Sequence, residues 1–287
     1  MAFLGTPEAA VPPLRALVGA GHEVAVVVTQ PDRRRARGGA LVPTPVKWEA
    51  MELDLPVTDR VDDVLDAGVE LGVVVAFGRL IRPHVLQRVP MVNVHFSLLP
   101  RWRGAAPVER AILAGDEVTG VCLMALEEGL DTGPIYASER VSIGPEETAE
   151  ELRSRLVEIG TGLLVHHLRV GLGQAQPQVG EPTHAAKIDP DELALDWTWP
   201  SERLHRVIRV GRAWTTFRGR RFIVERARRA SVAELPVGRP GSLSRTIVRT
   251  GDGVLELVTV RPEGKGAQPA KAWLRGARPA PDERLGA

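Results

Sequence analysis

The chain has 287 residues, long enough for one large or two modest domains, and its 44% hydrophobic and 25% charged residues describe a folded globular protein. A single cysteine, Cys122, excludes an intramolecular disulfide and implies a reducing, cytoplasmic setting. The net charge of +1 conceals an asymmetry: residues 1–185 hold 17 Lys and Arg against 24 Asp and Glu, a net −7, whereas residues 186–287 hold 20 against 12, a net +8. No apolar run approaches the roughly 18 residues of a membrane span. The opening Met1-Ala2-Phe3-Leu4-Gly5 has no basic or long apolar leader region, so no signal peptide is expected.

Along residues 1–170, strand-like and helix-like segments alternate. Short apolar runs at 1–4, 24–28, 71–77, 92–95 and 121–126 read as buried parallel strands. Helical spacing falls at 7–20, 45–53, 61–67, 83–89 and 107–114. Thr148-Ala149-Glu150-Glu151 reads as a capping box opening a long helix to about Leu168. This order predicts an α/β domain with a wound, mostly parallel sheet. Residues 172–198, rich in Gly, Gln and Pro, read as a linker. Beyond them, Ser201 is expected to cap a short helix with Leu204, Val207 and Ile208 on its apolar face. Strand-like runs at 221–224, 243–248 and 254–260 then suggest a compact β-barrel over 199–287.

The chemistry concentrates in the first domain. Asn93 and His95 lie two apart on a predicted strand and so share a face. Asp131 follows another strand in a glycine-flanked loop. An amide and a protonated imidazole can stabilise an oxyanion, and a carboxylate can orient the imidazole and favour its charge. A structural histidine is the plainer alternative for His95 alone. No cluster has metal-ligand spacing, so no metal is expected. Cys122 sits in an apolar strand and reads as core packing. Ser97 lacks the G-x-S-x-G elbow of a serine nucleophile. Gly5-Thr6-Pro7-Glu8 sits where dinucleotide folds bind phosphates but is not G-x-G-x-x-G, so a tight turn is the simpler reading. Arg33-Arg34-Arg35-Ala36-Arg37 is either a solvated charge run or an arm for phosphates. The basic C-terminal third is likewise either a solvated surface or a polyanion-binding one.

Several stretches together resemble the methionyl-tRNA formyltransferase family over nearly the full length. They are Phe3-Leu4-Gly5-Thr6-Pro7, Thr29-Gln30-Pro31-Asp32-Arg33 and Pro43-Thr44-Pro45-Val46-Lys47. Val74-Val75-Ala76-Phe77-Gly78 follows, and Asn93-Val94-His95 leads into Ser97-Leu98-Leu99-Pro100-Arg101-Trp102-Arg103-Gly104. Gly129-Leu130-Asp131-Thr132-Gly133 completes the set. The resemblance implies a Rossmann-like formyltransferase domain over 1–171, a linker over 172–198 and an OB-like tRNA-binding domain over 199–287. It implies formyl transfer from 10-formyltetrahydrofolate to the α-amino group of methionyl initiator tRNA, by a cytoplasmic monomer. Asn93, His95 and Asp131 would be catalytic. Ser97, Leu98, Leu99, Pro100, Phe77, Gly78 and Leu80 would bind the folate, and Arg33, Arg34, Arg35 and Arg37 the tRNA.

The chain departs from the family pattern at Phe96, where a Gly or Ala is usual beside the histidine, and at His184, where a tyrosine is usual. Gly38-Gly39-Ala40 replaces a lysine-rich loop end. Two other functions share parts of this pattern: an amino-sugar nucleotide N-formyltransferase with the same polar set, and a non-catalytic RNA-binding protein. An oxidoreductase reading rests on the α/β alternation alone, and fold alone does not carry function.

Overall fold

The computed structural model describes residues 1–34, 40–230, 238–280 and 283–287, with Arg33 described by its backbone. It divides into two compact units. Residues 1–108, 118–142 and 152–186 form the first, and residues 109–117, 143–151 and 187–287 form the second.

Through residue 186 the elements are β1 (Ala2–Gly5), α1 (Val11–Gly19), β2 (Val26–Val28), β3 (Arg33–Arg34), β4 (Leu41–Val42), α2 (Pro45–Glu52), β5 (Val57–Thr58) and β6 (Gly72–Val75). Then come α3 (Pro83–Leu86), β7 (Met91–His95), β8 (Arg103–Gly104), α4 (Pro107–Ala114), β9 (Val118–Ala125), β10 (Ile135–Ser142), α5 (Ala149–Val170) and β11 (His184–Ala185). The main sheet runs β10-β9-β7-β6-β1-β2-β5, parallel from β7 to β5 and antiparallel at β9 and β10. Every residue of β1, β6 and β7 is buried. Strands covered on both faces need apolar side chains nearly throughout, which is why β1 and β6 read as continuous runs, while β7 keeps Asn93 and His95 at its end.

Local chemistry sets several boundaries. The Thr44 side chain accepts the Lys47 amide at 3.1 Å and Pro45 is the first residue of α2, a start that satisfies one free amide and removes another. Before α5, Thr148 Oγ1 accepts the Glu151 amide at 3.3 Å while Glu151 Oε2 accepts the Thr148 amide at 2.9 Å, the expected capping box. Residues 61–65 form a 3₁₀ turn in place of the predicted helix over 61–67, and β2 begins at Val26 rather than residue 24.

The second unit continues with α6 (Ser201–Val210), β12 (Trp214–Phe217), β13 (Arg220–Arg229), β14 (Leu243–Ser244), β15 (Ile247–Arg249), β16 (Val254–Pro262), β17 (Gln268–Pro269) and α7 (Ala270–Ala277). Its sheet is antiparallel in the order β12-β13-β16-β15-β14, with β17 paired to β16. The run expected as one strand over 243–248 is two, broken where Arg245 turns at φ +53°. Ser201 is the first residue of α6 and not its cap. Pro200 holds the cap position without a side-chain bond, and the Ser201 amide donates to Asp252 O at 2.9 Å.

Residues 172–198 are not a free linker. Up to residue 186 they belong to the first unit, where β11 pairs with β8. Beyond it, Leu193, Leu195 and Trp197 are buried in the second unit's core with Leu204, Phe222 and Trp273. Trp197 Nε1 donates to Thr215 Oγ1 at 3.0 Å, so its one polar atom is satisfied inside that core. Isolated apolar residues at irregular spacing carry this burial, and periodicity cannot reveal it.

Candidate active site

Strand β7 brings Asn93 and His95 to the end of the sheet on one face. The opposite face packs on α5: a Cβ at Gly160 would lie 2.8 Å from Val94 Cγ1 and 3.7 Å from the Phe96 ring. Phe96 therefore points away from the face that carries His95. It fills core volume and takes none from the site.

After His95 the chain folds back through 97–104. Ser97 is fully buried and its hydroxyl donates to Arg101 O at 2.6 Å. The Leu99–Pro100 bond is cis. Leu98 lies over Gly120, and Leu99 packs with Cys122 and Met124. Burial pushes the Cys122 thiol up to about 11. Trp102 has φ +62°, a left-handed backbone unusual for an aromatic residue. That turn aims the Trp102 carbonyl at the imidazole, where it accepts from His95 Nε2 at 2.9 Å. The Arg101 guanidinium stacks 4.6 Å from the Trp102 ring.

Asp131 completes the cluster. Its Oδ2 lies 3.6 Å from His95 Nδ1, and the Gly104 amide donates to the same oxygen at 2.8 Å. Gly104 is required there: it has φ +122°, and a Cβ would come within 2.9 Å of Ala185 O. The buried ring thus meets a carbonyl on one side and a nearly buried carboxylate on the other. Asn93 is 8% exposed, and among the described residues no hydrogen bond engages its amide. The amide is not among the side-chain groups sealed from solvent without a partner, so it is open to a polar group of a ligand.

Residues 77–80 lie just past the end of β6, which neighbours β7. Phe77 is buried, and its carbonyl accepts from Thr6 Oγ1 at 3.0 Å and Gln30 Nε2 at 3.1 Å. Thr6 thus ties the first strand's loop to this turn. Gly78 has φ +73°, and Leu80 is 81% exposed. Arg33 and Arg34 form β3, paired with β4. Arg35 and Arg37 lie outside the described residues. Among the described residues, no three His, Cys, Asp or Glu side chains gather as a metal-ligand set, and no helix is long and apolar enough to cross a membrane.

The 178–185 segment is the part of the site that sequence reasoning missed. Gln178 Nε2 donates to the carbonyls of Asp131 and Gly133, both at 2.8 Å, while its Oε1 accepts from Arg103. Thr183 Oγ1 accepts the Trp102 amide at 2.8 Å. The nearest signal in the sequence is the family-like stretch from His184 to Ile188, which begins after both residues and says nothing of these bonds.

Residues 1–168 match the formyl transferase family and residues 187–278 its C-terminal domain, so fold and site together define a formyl transferase. A methionyl-tRNA formyltransferase of Heliobacterium modesticaldum is 40% identical over 314 aligned residues, which span 100% of this chain and 99% of the relative. The chain belongs to the methionyl-tRNA formyltransferase family. Among solved structures, the methionyl-tRNA formyltransferase of Clostridium thermocellum has a TM-score of 0.60 at 17% identity, covering 80% of this chain and 92% of that one. WlaRD, a sugar 3-N-formyl transferase, has a TM-score of 0.68 at 16% identity, covering 92% and 98%. At those identities the likeness is one of fold, and the fold is common to both acceptor classes.

Proposed function

We propose that the chain transfers the formyl group of 10-formyltetrahydrofolate to the α-amino group of methionyl initiator tRNA, with Asn93, His95 and Asp131 as the catalytic set. The observation that carries the reading is the convergence of these three at one strand end, with the Asn93 amide unpartnered among the described residues. The folate co-substrate supplies an activated formyl carbon. As the acceptor amine adds to that carbon, negative charge grows on the formyl oxygen, and Asn93 and His95 are the donors for it. Preorganised donors of this kind are each worth about 10²–10³ in rate, roughly 3–4 kcal/mol. Asp131 faces His95 Nδ1 and is the group through which the proton shed by the amine moves toward the leaving folate nitrogen.

The residues suit a folate. The Asn93 amide, with no hydrogen bond to it among the described residues, is open to a polar group of the ligand. The turn at Phe77, Gly78 and Leu80 leaves backbone groups beyond the occupied Phe77 carbonyl, next to an exposed apolar side chain. Ser97, Leu98, Leu99 and Pro100 would hold the folate as the wall beneath it, since their side chains are turned largely into the fold. The tRNA falls to the second unit and to the Arg33–Arg37 stretch, of which Arg34 is described as an exposed residue.

The test is formyl transfer to methionylated initiator tRNA, with methionylated elongator tRNA and an amino-sugar nucleotide alongside. Transfer to the initiator alone is expected, with His95→Ala and Asn93→Ala each slowing it by about 10²-fold or more. Transfer to the sugar nucleotide alone would move the acceptor to the other class that shares this fold.

A further inference from the structure

We propose that Thr183 and Gln178 are positioning residues for formyl transfer, Thr183 setting the His95 ring through the Trp102 carbonyl and Gln178 setting Asp131. The proposal rests on the catalytic reading of His95 and Asp131 above. Nothing in the family resemblance assigns either residue a role.

Two chains of bonds carry it. In the first, Thr183 Oγ1 accepts the Trp102 amide, and the Trp102 carbonyl accepts His95 Nε2. Trp102 sits at φ +62°, a conformation that persists only where its surroundings hold it. Thr183 holds it from both ends: its amide donates to Pro100 O at 3.2 Å and its carbonyl accepts the Arg103 amide at 2.8 Å. With Nε2 anchored on this carbonyl, Nδ1 is the ring nitrogen left to face Asp131 and to donate to the reacting formyl oxygen. In the second chain, the Gln178 amide nitrogen donates to Asp131 O and Gly133 O, two carbonyls of one loop. Asp131 also has a left-handed backbone, φ +51°. Gln178 Oε1 is fixed in turn by Arg103, whose neighbour Gly104 donates to the Asp131 carboxylate. The backbone bonds between Gln176 and Ile135, both 2.8 Å, lash the start of the segment to the far end of the same loop.

The segment therefore sets both partners of the 3.6 Å contact through which Asp131 orients the imidazole and favours its charge. Neither residue touches the reacting atoms. Each acts through another, and a misplacement of about 1 Å at a reacting group costs as much as 10²-fold in rate.

Thr183→Val keeps the shape and removes the acceptor, whereas Thr183→Ser keeps the acceptor. Gln178→Glu keeps the acceptor for Arg103 and removes both donors. All three are made in the full chain and assayed with 10-formyltetrahydrofolate and methionylated initiator tRNA, reading kcat, KM for each substrate and the pH profile of kcat. Thr183→Val is expected to lower kcat by about tenfold or more, to leave both KM values within about twofold and to change the shape of the pH profile. Thr183→Ser is expected to restore most of the rate. Gln178→Glu is expected to lower kcat in the same way and provides an independent arm if Thr183→Val does not fold. Wild-type kcat and pH profile in Thr183→Val or in Gln178→Glu overturn that residue's role, and wild-type values in both overturn the proposal. A defect that shows only as raised KM also overturns it. A wild-type chain that transfers nothing to the initiator tRNA overturns the acceptor reading, and this inference with it.

Discussion

Phe96 is beside the proposed catalytic histidine in sequence and on the other side of the strand in space. Its ring is 8% exposed and packs under α5 where Gly160 leaves room. Phe96→Ala is therefore expected to lower stability by about 3–4 kcal/mol, the cost of a large core truncation, while the folded fraction keeps its kcat. A urea titration beside the formylation assay checks both. A fall in kcat with an unchanged urea midpoint would place the ring in the pocket after all. At this scale, sequence shows side-chain types well: Asn93, His95 and Asp131 are legible from strand spacing and loop position. Main-chain roles are hidden. The Trp102 carbonyl and the Gly104 amide complete the site, and nothing about a tryptophan or a glycine in sequence says which way its peptide faces.

Among the elements, legibility follows burial. β1, β6 and β9 declare themselves because strands covered on both faces need apolar residues almost throughout. β10 was not legible: Ile135-Tyr136-Ala137-Ser138-Glu139-Arg140-Val141-Ser142 is an edge strand, mostly open to solvent, and pairs through backbone bonds to β9. β8 and β11 are two residues each and exist because they meet one another across the chain. β9 lies between β7 and β10 and carries Cys122, 1% exposed. Desolvation raises this thiol from 9.0 to about 11, partly offset by a backbone hydrogen bond with Leu99. The native thiol thus stays neutral as well as shielded, and the thiolate is the reactive form. Iodoacetamide at pH 8 is expected to leave Cys122 unlabelled in the folded chain and to label it on unfolding in urea, read by mass spectrometry. Fast labelling without denaturant would mean that the strand opens. Above about pH 9 the unfolded thiol ionises and the folded one does not, so this group's contribution to stability falls as pH rises toward 11.

For the whole molecule, the fold redraws the charge map. Cut by sequence, the C-terminal third carries +8. Cut by structure, the second unit also takes residues 109–117 and 143–151, with seven acidic residues and one arginine. It then holds 21 Lys and Arg against 19 Asp and Glu, a net +2, and the first unit is left at −1. The imported acids meet its basic side chains: Glu151 pairs with Arg226, and Glu146 lies 3.2 Å from His205. A long-range basic field is thus a weaker account of tRNA binding than a local one. The second unit offers a groove of ≈ 590 Å³ where Arg218, Arg220, Arg221 and Lys265 surround Phe222 and Trp273. Arg218 is paired with Glu283, whose carboxyl that arginine holds down near 2, and Arg220 lies 3.6 Å from Glu263. Arg221, stacked 4.5 Å from Trp214, and Lys265 make no ion pair among the described residues. Those two are the groove's cations free to meet phosphates, set over a floor formed by the buried Phe222 and Trp273 rings. Binding of initiator tRNA to the full chain, measured from low to moderate salt, is expected to weaken as salt rises. Replacing Arg221 and Lys265 together by alanine is expected to flatten the slope of log K against log salt by roughly 1 to 2, about one unit or slightly less for each phosphate deprived of its cation. Folate binding should be unchanged, because it is assigned to the first unit. A slope that survives the double replacement would shift the phosphate-binding role to other cations, the Arg33–Arg37 stretch first among them, and would leave the groove without a part in tRNA binding.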